Sequence, residues 1–390
     1  MLSRRVSQLK PSATLAITAK AKELRSKGID VIGFGAGEPD FDTPQFVKEA
    51  CIKALKEGMT KYAPSAGIPQ LREALAQKFF EENRIEYKPS EIVVSTGAKM
   101  ILFLIFMTIL NEGDEVLVPS PYWVTYPEQI KLLGGVPVEV PTYEDNGFIP
   151  VAEAIKERIT PRTKAVIINS PNNPTGAVYP PKELKEIAQV CVENNLFLIT
   201  DECYEAFVYE DKFVSPASFS PEVKNITFTV NAFSKTYSMT GWRVGYVACP
   251  EKYARVIASL NSQTVSNVTT FAQFGALEAL KNPQAKLYVA RMKEEFRKRR
   301  DNAYKLLSSI PHVSVFKPRG SFYIFPNFSY YSRKLGGDIE LARILLEEAK
   351  VACVPGSPFG AEGYVRLSYA TTMENIEEGI NRIKRALESL

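Results

Sequence analysis

Between Thr43 and about Lys281 the chain alternates two hydrophobic periods, and few folds accommodate that alternation. Short β-rich runs occur at Ile92–Ser95, Glu115–Val118, Ala165–Asn169, Leu196–Asp201, Ile226–Val230 and Val244–Ala248. Helical periodicity fills the stretches Ile68–Glu82, Lys99–Leu110, Pro181–Asn194 and Phe271–Lys281. Strands joined through helices imply an α/β domain around a mostly parallel central sheet. Ligands of such sheets gather where strands end and helices begin. A long charged helix, Gln284 to Ser308, then leads to strands expected near Val313–Phe316, Phe322–Phe325, Val351–Val354 and Tyr364–Ser368, and to a last helix, Met373–Glu388. The helix Ser12–Ser26 has no strand beside it in sequence and is assigned to this second unit. The expected division is a large domain, 43–283, and a smaller α+β domain built from both termini, 1–42 and 284–390.

Composition narrows the function classes. The 48 Lys+Arg against 44 Asp+Glu leave a dispersed net charge of +4, which argues against a nucleic-acid or membrane surface. Met1-Leu2-Ser3-Arg4-Arg5 lacks an apolar core, so no signal peptide is expected. The run Met100 to Leu110 is too short to span a bilayer. Cys51, Cys191, Cys203, Cys249 and Cys353 are scattered and odd in number, which favours reduced thiols in a cytoplasmic protein over disulfides or zinc. With His312 the single histidine, neither a histidine base nor a histidine metal cluster is expected.

Lys235 stands among small and hydroxyl residues, Ser234-Lys235-Thr236, just after the run Ile226–Val230. A partly buried lysine can lose its proton and form a Schiff base with an aldehyde. Ser234 and Arg243 nearby offer a hydroxyl and a guanidinium, both good phosphate ligands. An aldehyde carrying a phosphate points to pyridoxal phosphate; the competing reading is a structural lysine.

Four other strand ends bear on that choice. Gly97-Ala98-Lys99 opens a helix whose first amides form a phosphate seat. Trp123, after the run Glu115–Val118, either packs as core or stacks on a flat ring. Asn172-Asn173-Pro174-Thr175-Gly176 is either a plain rigid turn or a fixed amide donor. Asp201 either caps a helix or sits under a heteroaromatic nitrogen, with Tyr204 placed to donate to a phenolate oxygen. Gly33-Phe34-Gly35-Ala36-Gly37 has the spacing G-x-G-x-G, so a nicotinamide dehydrogenase is discounted.

Together with Ala36-Gly37-Glu38-Pro39-Asp40-Phe41, Lys61-Tyr62-Ala63-Pro64, Gly241-Trp242-Arg243 and Val365-Arg366-Leu367-Ser368, these motifs resemble the class I aminotransferases among the fold type I pyridoxal phosphate enzymes. The resemblance covers essentially the whole chain and is greatest to the bacterial aspartate/prephenate branch. It implies pyridoxal 5'-phosphate held by Lys235, Asp201 at the ring nitrogen, Asn173 and Tyr204 at the ring oxygen, and Trp123 over the ring. Ser234, Arg243, Gly97 and the amides of Ala98 and Lys99 would hold the phosphate, joined by Tyr62 from the neighbouring subunit of a homodimer. Many relatives carry Ser or Thr where this chain has Ala232, which weakens the inference for Ser234.

The resemblance further implies that Arg366 grips the substrate α-carboxylate, with Asn173, Trp123 and the backbone of Gly37 beside it. Lys99 would read a distal carboxylate. Lys10 is either a second determinant of dicarboxylic substrates or a solvated residue before a helix. The activity implied is a ping-pong transfer from aspartate or glutamate to 2-oxoglutarate or oxaloacetate, with prephenate as another acceptor. A β-lyase and a broad alanine or aromatic aminotransferase share these motifs. A non-enzymatic regulator of the same fold would be expected to add a DNA-binding domain.

Overall fold

The structure, a computed structural model, describes residues 4–7 and 13–389. Its centre is a seven-stranded sheet in the order Ile92–Ser95, Gly245–Ala248, Thr227–Ala232, Phe197–Asp201, Thr163–Asn169, Glu115–Ser120, Val136–Pro141. Gly245–Ala248 is antiparallel to both neighbours, and every other pairing is parallel. The strands Thr227–Ala232 and Phe197–Asp201 are buried almost throughout, which is why they read as near-continuous apolar runs. Helix Ala98–Ile109 covers one face through Ile101, Leu102, Ile105 and Phe106. Helix Pro181–Glu193 covers the other through Leu184, Ile187, Ala188 and Cys191.

All six expected strands of this sheet are present, and three departures have physical reasons. Val136–Pro141 was not expected: it is an edge strand, largely uncovered, and it tolerates two prolines because one side makes no ladder bonds. Helix Glu251–Thr264 was also missed, since its buried face includes the polar Asn261. That side chain donates to Ser65 and Val94 carbonyls and accepts from Ser95 Oγ, so its position is set by partners far away in sequence. The helix expected over 68–82 ends as Pro69–Lys78, and a wider π-type turn, Phe79–Asn83, follows it.

The remaining chain makes two small sheets. Tyr323–Ile324, Val365–Ser368 and Val354–Pro355 pair antiparallel, and Ile32–Gly33 pairs parallel with Val351–Ala352. Val313–Phe316 forms no strand; Ser314 makes a single bridge to Asn327. Helix Gln284–Leu307 packs on helix Met373–Glu388, whose N-terminus is capped by Thr372 Oγ1 accepting from the Asn375 amide at 3.3 Å. Among the described residues no helix is long and apolar enough to cross a membrane.

Candidate active site

A cavity of about 370 Å³ opens where the parallel strands end, and the expected residues converge there from distant elements. Lys235 lies on the one-turn helix Phe233–Thr236 directly after its strand. Its Nζ donates to the Gly37 carbonyl. The side chain keeps some exposure to the cavity. Burial nevertheless brings its ammonium down to about 8, and the Arg243 and Arg366 cations act in the same direction against Cys203 and Glu38. An amine so poised can exchange a proton near neutral pH.

Asp201, the last residue of its strand, is buried, and no cation pairs with it among the described residues. Its Oδ2 accepts from the Tyr126 hydroxyl at 2.6 Å and its Oδ1 from the Cys203 amide at 3.2 Å. Burial raises its carboxyl pKa, while the hydrogen bonds from Tyr126 and Cys203 pull the other way. Asn169 ends the adjacent strand in register with Asp201. Its Nδ2 donates to the Asp201 carbonyl at 2.9 Å and its Oδ1 accepts from the Asn173 amide at 2.8 Å, which fixes the turn. The Tyr204 and Tyr323 hydroxyls lie 2.9 Å apart, and burial raises both pKa values first of all.

The helix Ala98–Ile109 points its N-terminus at the cavity. Its cap, Gly97, has φ 88°, and a Cβ there would stand 2.5 Å from Arg243 Nη2. A Cβ on Gly245 would stand 2.5 Å from the Ala98 amide nitrogen. Both glycines are therefore required for the guanidinium and the helix end to approach each other. Arg243 is exposed and donates to the Thr240 and Thr96 carbonyls, and its charge has no carboxylate partner among the described residues. Ser234 is buried and lines the same wall.

Arg366 is 1% exposed and forms no ion pair among the described residues. Its Nη1 donates to Asn173 Oδ1 at 3.0 Å and its Nη2 to the Gly35 carbonyl at 2.9 Å, while Nε is buried without a partner. The guanidinium rests on the Tyr323 ring at 4.5 Å, and burial lowers its pKa. Gly37, expected to meet the substrate carboxylate, lines the same cavity, and its carbonyl accepts from Lys235. At the mouth, Lys99 Nζ stands 5.0 Å over the Trp123 ring, and Trp123 packs edge-on against Tyr126 at 5.5 Å. Although Lys99 is solvent-accessible, the surrounding protein desolvates its ammonium and lowers its pKa, with Arg243 adding to the effect.

Tyr62 is outside this cavity and 89% exposed. Lys10 lies outside the described residues. Tyr126, Asn169 and Tyr323 were not anticipated. Tyr126 stands one helical turn after Trp123, and Asn169 occupies the same strand-end level as Asp201, so both had a positional signal. Tyr323 had none: it reaches the site only through the pairing of its strand with Val365–Ser368.

Lys235 with its depressed amine, a buried carboxylate and a buried arginine that has no ion pair among the described residues meet in one cavity, the arrangement of an enzyme that works on carboxylate substrates with an added cofactor. Residues 29–383 match the family described as aminotransferase class I and II, and the chain belongs to that family. It is 71% identical over 390 residues to a protein of Aquifex aeolicus named "Probable aspartate/prephenate aminotransferase", covering 100% of this chain and 99% of that protein. It is 48% identical to the "Aspartate/prephenate aminotransferase" of Thermus thermophilus, over 99% and 98% of the two chains. Among solved structures, the Thermus thermophilus aspartate aminotransferase with maleate superposes at TM-score 0.95 and 47% identity, covering 99% of each chain. The architecture is thus the α/β fold of the type I aminotransferases, as the sequence motifs led one to expect, and the protein is an aminotransferase. Membership of this family implies pyridoxal phosphate as cofactor.

Proposed function

We propose that this aminotransferase moves the amino group of L-aspartate or L-glutamate to 2-oxoglutarate or oxaloacetate, with prephenate as a further acceptor. The observation that carries the reading is that Arg366 inside the cavity and Lys99 at its mouth enter no ion pair among the described residues, while Arg243 stands at the phosphate seat. A dicarboxylic acid has one carboxylate for each. The planar fork of Arg366 suits the α-carboxylate, since Nε still lacks an acceptor. The names of the relatives point the same way.

The residues present fit pyridoxal 5'-phosphate. Arg243, Ser234 and the first amides of helix Ala98–Ile109 would hold a phosphate dianion at a site where Gly97 and Gly245 leave room. Asp201 would pair with a protonated ring nitrogen, which answers its lack of a cation partner among the described residues. Asn173 commits Oδ1 to Arg366, leaving Nδ2 to donate to the ring oxygen alongside Tyr204. Trp123 would cover the ring face. When bound, the cofactor supplies the aldehyde that takes up the amino group and the ring that withdraws electrons from the substrate Cα. With the cofactor bound, Lys235 would take the Cα proton as general base and return it at C4′ as general acid, and an amine brought down to about 8 suits both duties. Arg366 and Asn173 orient the substrate for that transfer.

A homodimer with shared active sites supplies Tyr62, which is exposed and outside its own cavity, to the neighbouring subunit's phosphate seat. Five free cysteines are consistent with a cytoplasmic location.

The test is a half-reaction panel. The visible absorbance of the purified holoenzyme is followed on adding aspartate, glutamate, alanine, tyrosine or arogenate without an acceptor. Aspartate and glutamate are expected to bleach it fastest. Absence of a visible band, or faster bleaching by alanine or tyrosine, would refute the proposal. Release of pyruvate from a cysteine conjugate without amino transfer would instead indicate a β-lyase.

A further inference from the structure

A second cavity of about 430 Å³ lies behind the segment that carries Lys235. Ala232 lines both cavities, and Phe233 and Thr236 line the second, so one short wall separates them. On one side is a closed polar network. Lys78, 8% exposed, is paired with Glu205 and donates to Asn83 Oδ1 at 2.8 Å. Asn83 Nδ2 donates to Glu205 Oε2 at 2.9 Å and Asn231 Nδ2 to Glu205 Oε1 at 2.6 Å. These charges are satisfied internally and need no ligand.

The other polar groups are not satisfied. Tyr246 is 3% exposed, lines the cavity, and its hydroxyl has no hydrogen-bond partner among the described residues. The Tyr237 hydroxyl, on a half-buried side chain, also has no hydrogen-bond partner among the described residues. Lys293, half-buried, and Lys286, exposed at the rim, lie on one side of helix Gln284–Leu307 and enter no ion pair among the described residues. Two hydroxyls and two ammonium groups that face one cavity without acceptors favour an anion there. Glu82 and Glu205 face the same space and disfavour a dianion. The remaining wall is apolar: Phe213, Phe233, Leu280 and Val289.

We propose that this second cavity is a binding site for a small monocarboxylate with an aromatic body. Its carboxylate meets Lys293 and the Tyr246 hydroxyl, and its ring packs against Phe233 and Val289.

The test is calorimetric titration of 3-phenylpropionate into the holoenzyme already saturated with succinate, which occupies the catalytic cavity. One binding event per subunit is expected to persist under succinate. Lys293→Met and Tyr246→Phe should each weaken it about tenfold, the scale of one hydrogen bond to a charged group. Val289→Trp, which fills the space, should abolish it. None of the three should change turnover without the probe. Absence of binding at millimolar probe, its loss under succinate, or unaltered affinity in Lys293→Met and Tyr246→Phe would overturn the proposal. Those two variants decide the matter even if Val289→Trp does not fold.

Discussion

Replacing Arg366 by lysine keeps the charge and removes the fork. In the native site Nη1 and Nη2 are spread between Asn173 Oδ1 at 3.0 Å and the Gly35 carbonyl at 2.9 Å, and the plane lies on Tyr323. A single ammonium cannot reach both acceptors and still make two bonds to a carboxylate. One charge-assisted hydrogen bond to substrate is then lost, worth about 1.5–3 kcal/mol, or about 10- to 150-fold in kcat/KM for aspartate. The loss should appear mainly in KM, because the carboxylate is gripped equally before and during the reaction. One buried acceptor, at Asn173 or Gly35, also goes without a donor and lowers stability by about 1–3 kcal/mol. Steady-state kinetics on aspartate and urea unfolding measure the two effects. The visible absorbance should be unchanged, since Arg366 does not contribute to the phosphate seat. A kcat/KM within about threefold of the parent would refute the fork assignment.

Lys99→Ala should impair aspartate and glutamate by about tenfold or more while sparing alanine; equal impairment of all three would leave Lys99 no role in choosing substrate. Gly97→Ala combines positive φ with a Cβ 2.5 Å from Arg243 Nη2, so Arg243 must move. The expected result is weaker cofactor retention on dialysis, with the fold kept by circular dichroism; full retention would contradict the phosphate seat. Lys235 is held at about 8 against an ordinary 10.5, so the native state destabilises its charged form. Below about pH 8 native and unfolded chains are both protonated and the full penalty stands. As pH rises from about 8 toward 10.5 the unfolded chain binds more protons than the native one, and stability climbs. With cofactor removed, Lys235→Met should therefore exceed the parent in urea midpoint at neutral pH, and the gap should narrow by about pH 9.5. A constant gap would show that Lys235 is not desolvated.

Much of the fold was legible because strands buried on both faces must be apolar along their length, and helices covering them must be apolar on one side. Chemistry placed at the ends of such strands is legible too. Asp201 ends a β-rich run, and Gly97, Asn173 and Lys235 follow one within a few residues, so the backbone itself carries them to the cavity. Local pattern left out what depends on partners. Val136–Pro141 reads poorly as a strand because an edge need not be apolar or free of proline. The pairing of Tyr323 with Tyr204 and Arg366, the bond from Tyr126 to Asp201, and that from Arg366 to the Gly35 carbonyl join residues brought together only by packing. The sequence by itself thus determined the sheet and the set of reacting groups. The tertiary structure alone decided which groups remain unpaired, because pairing depends on distances between elements that no local spacing encodes.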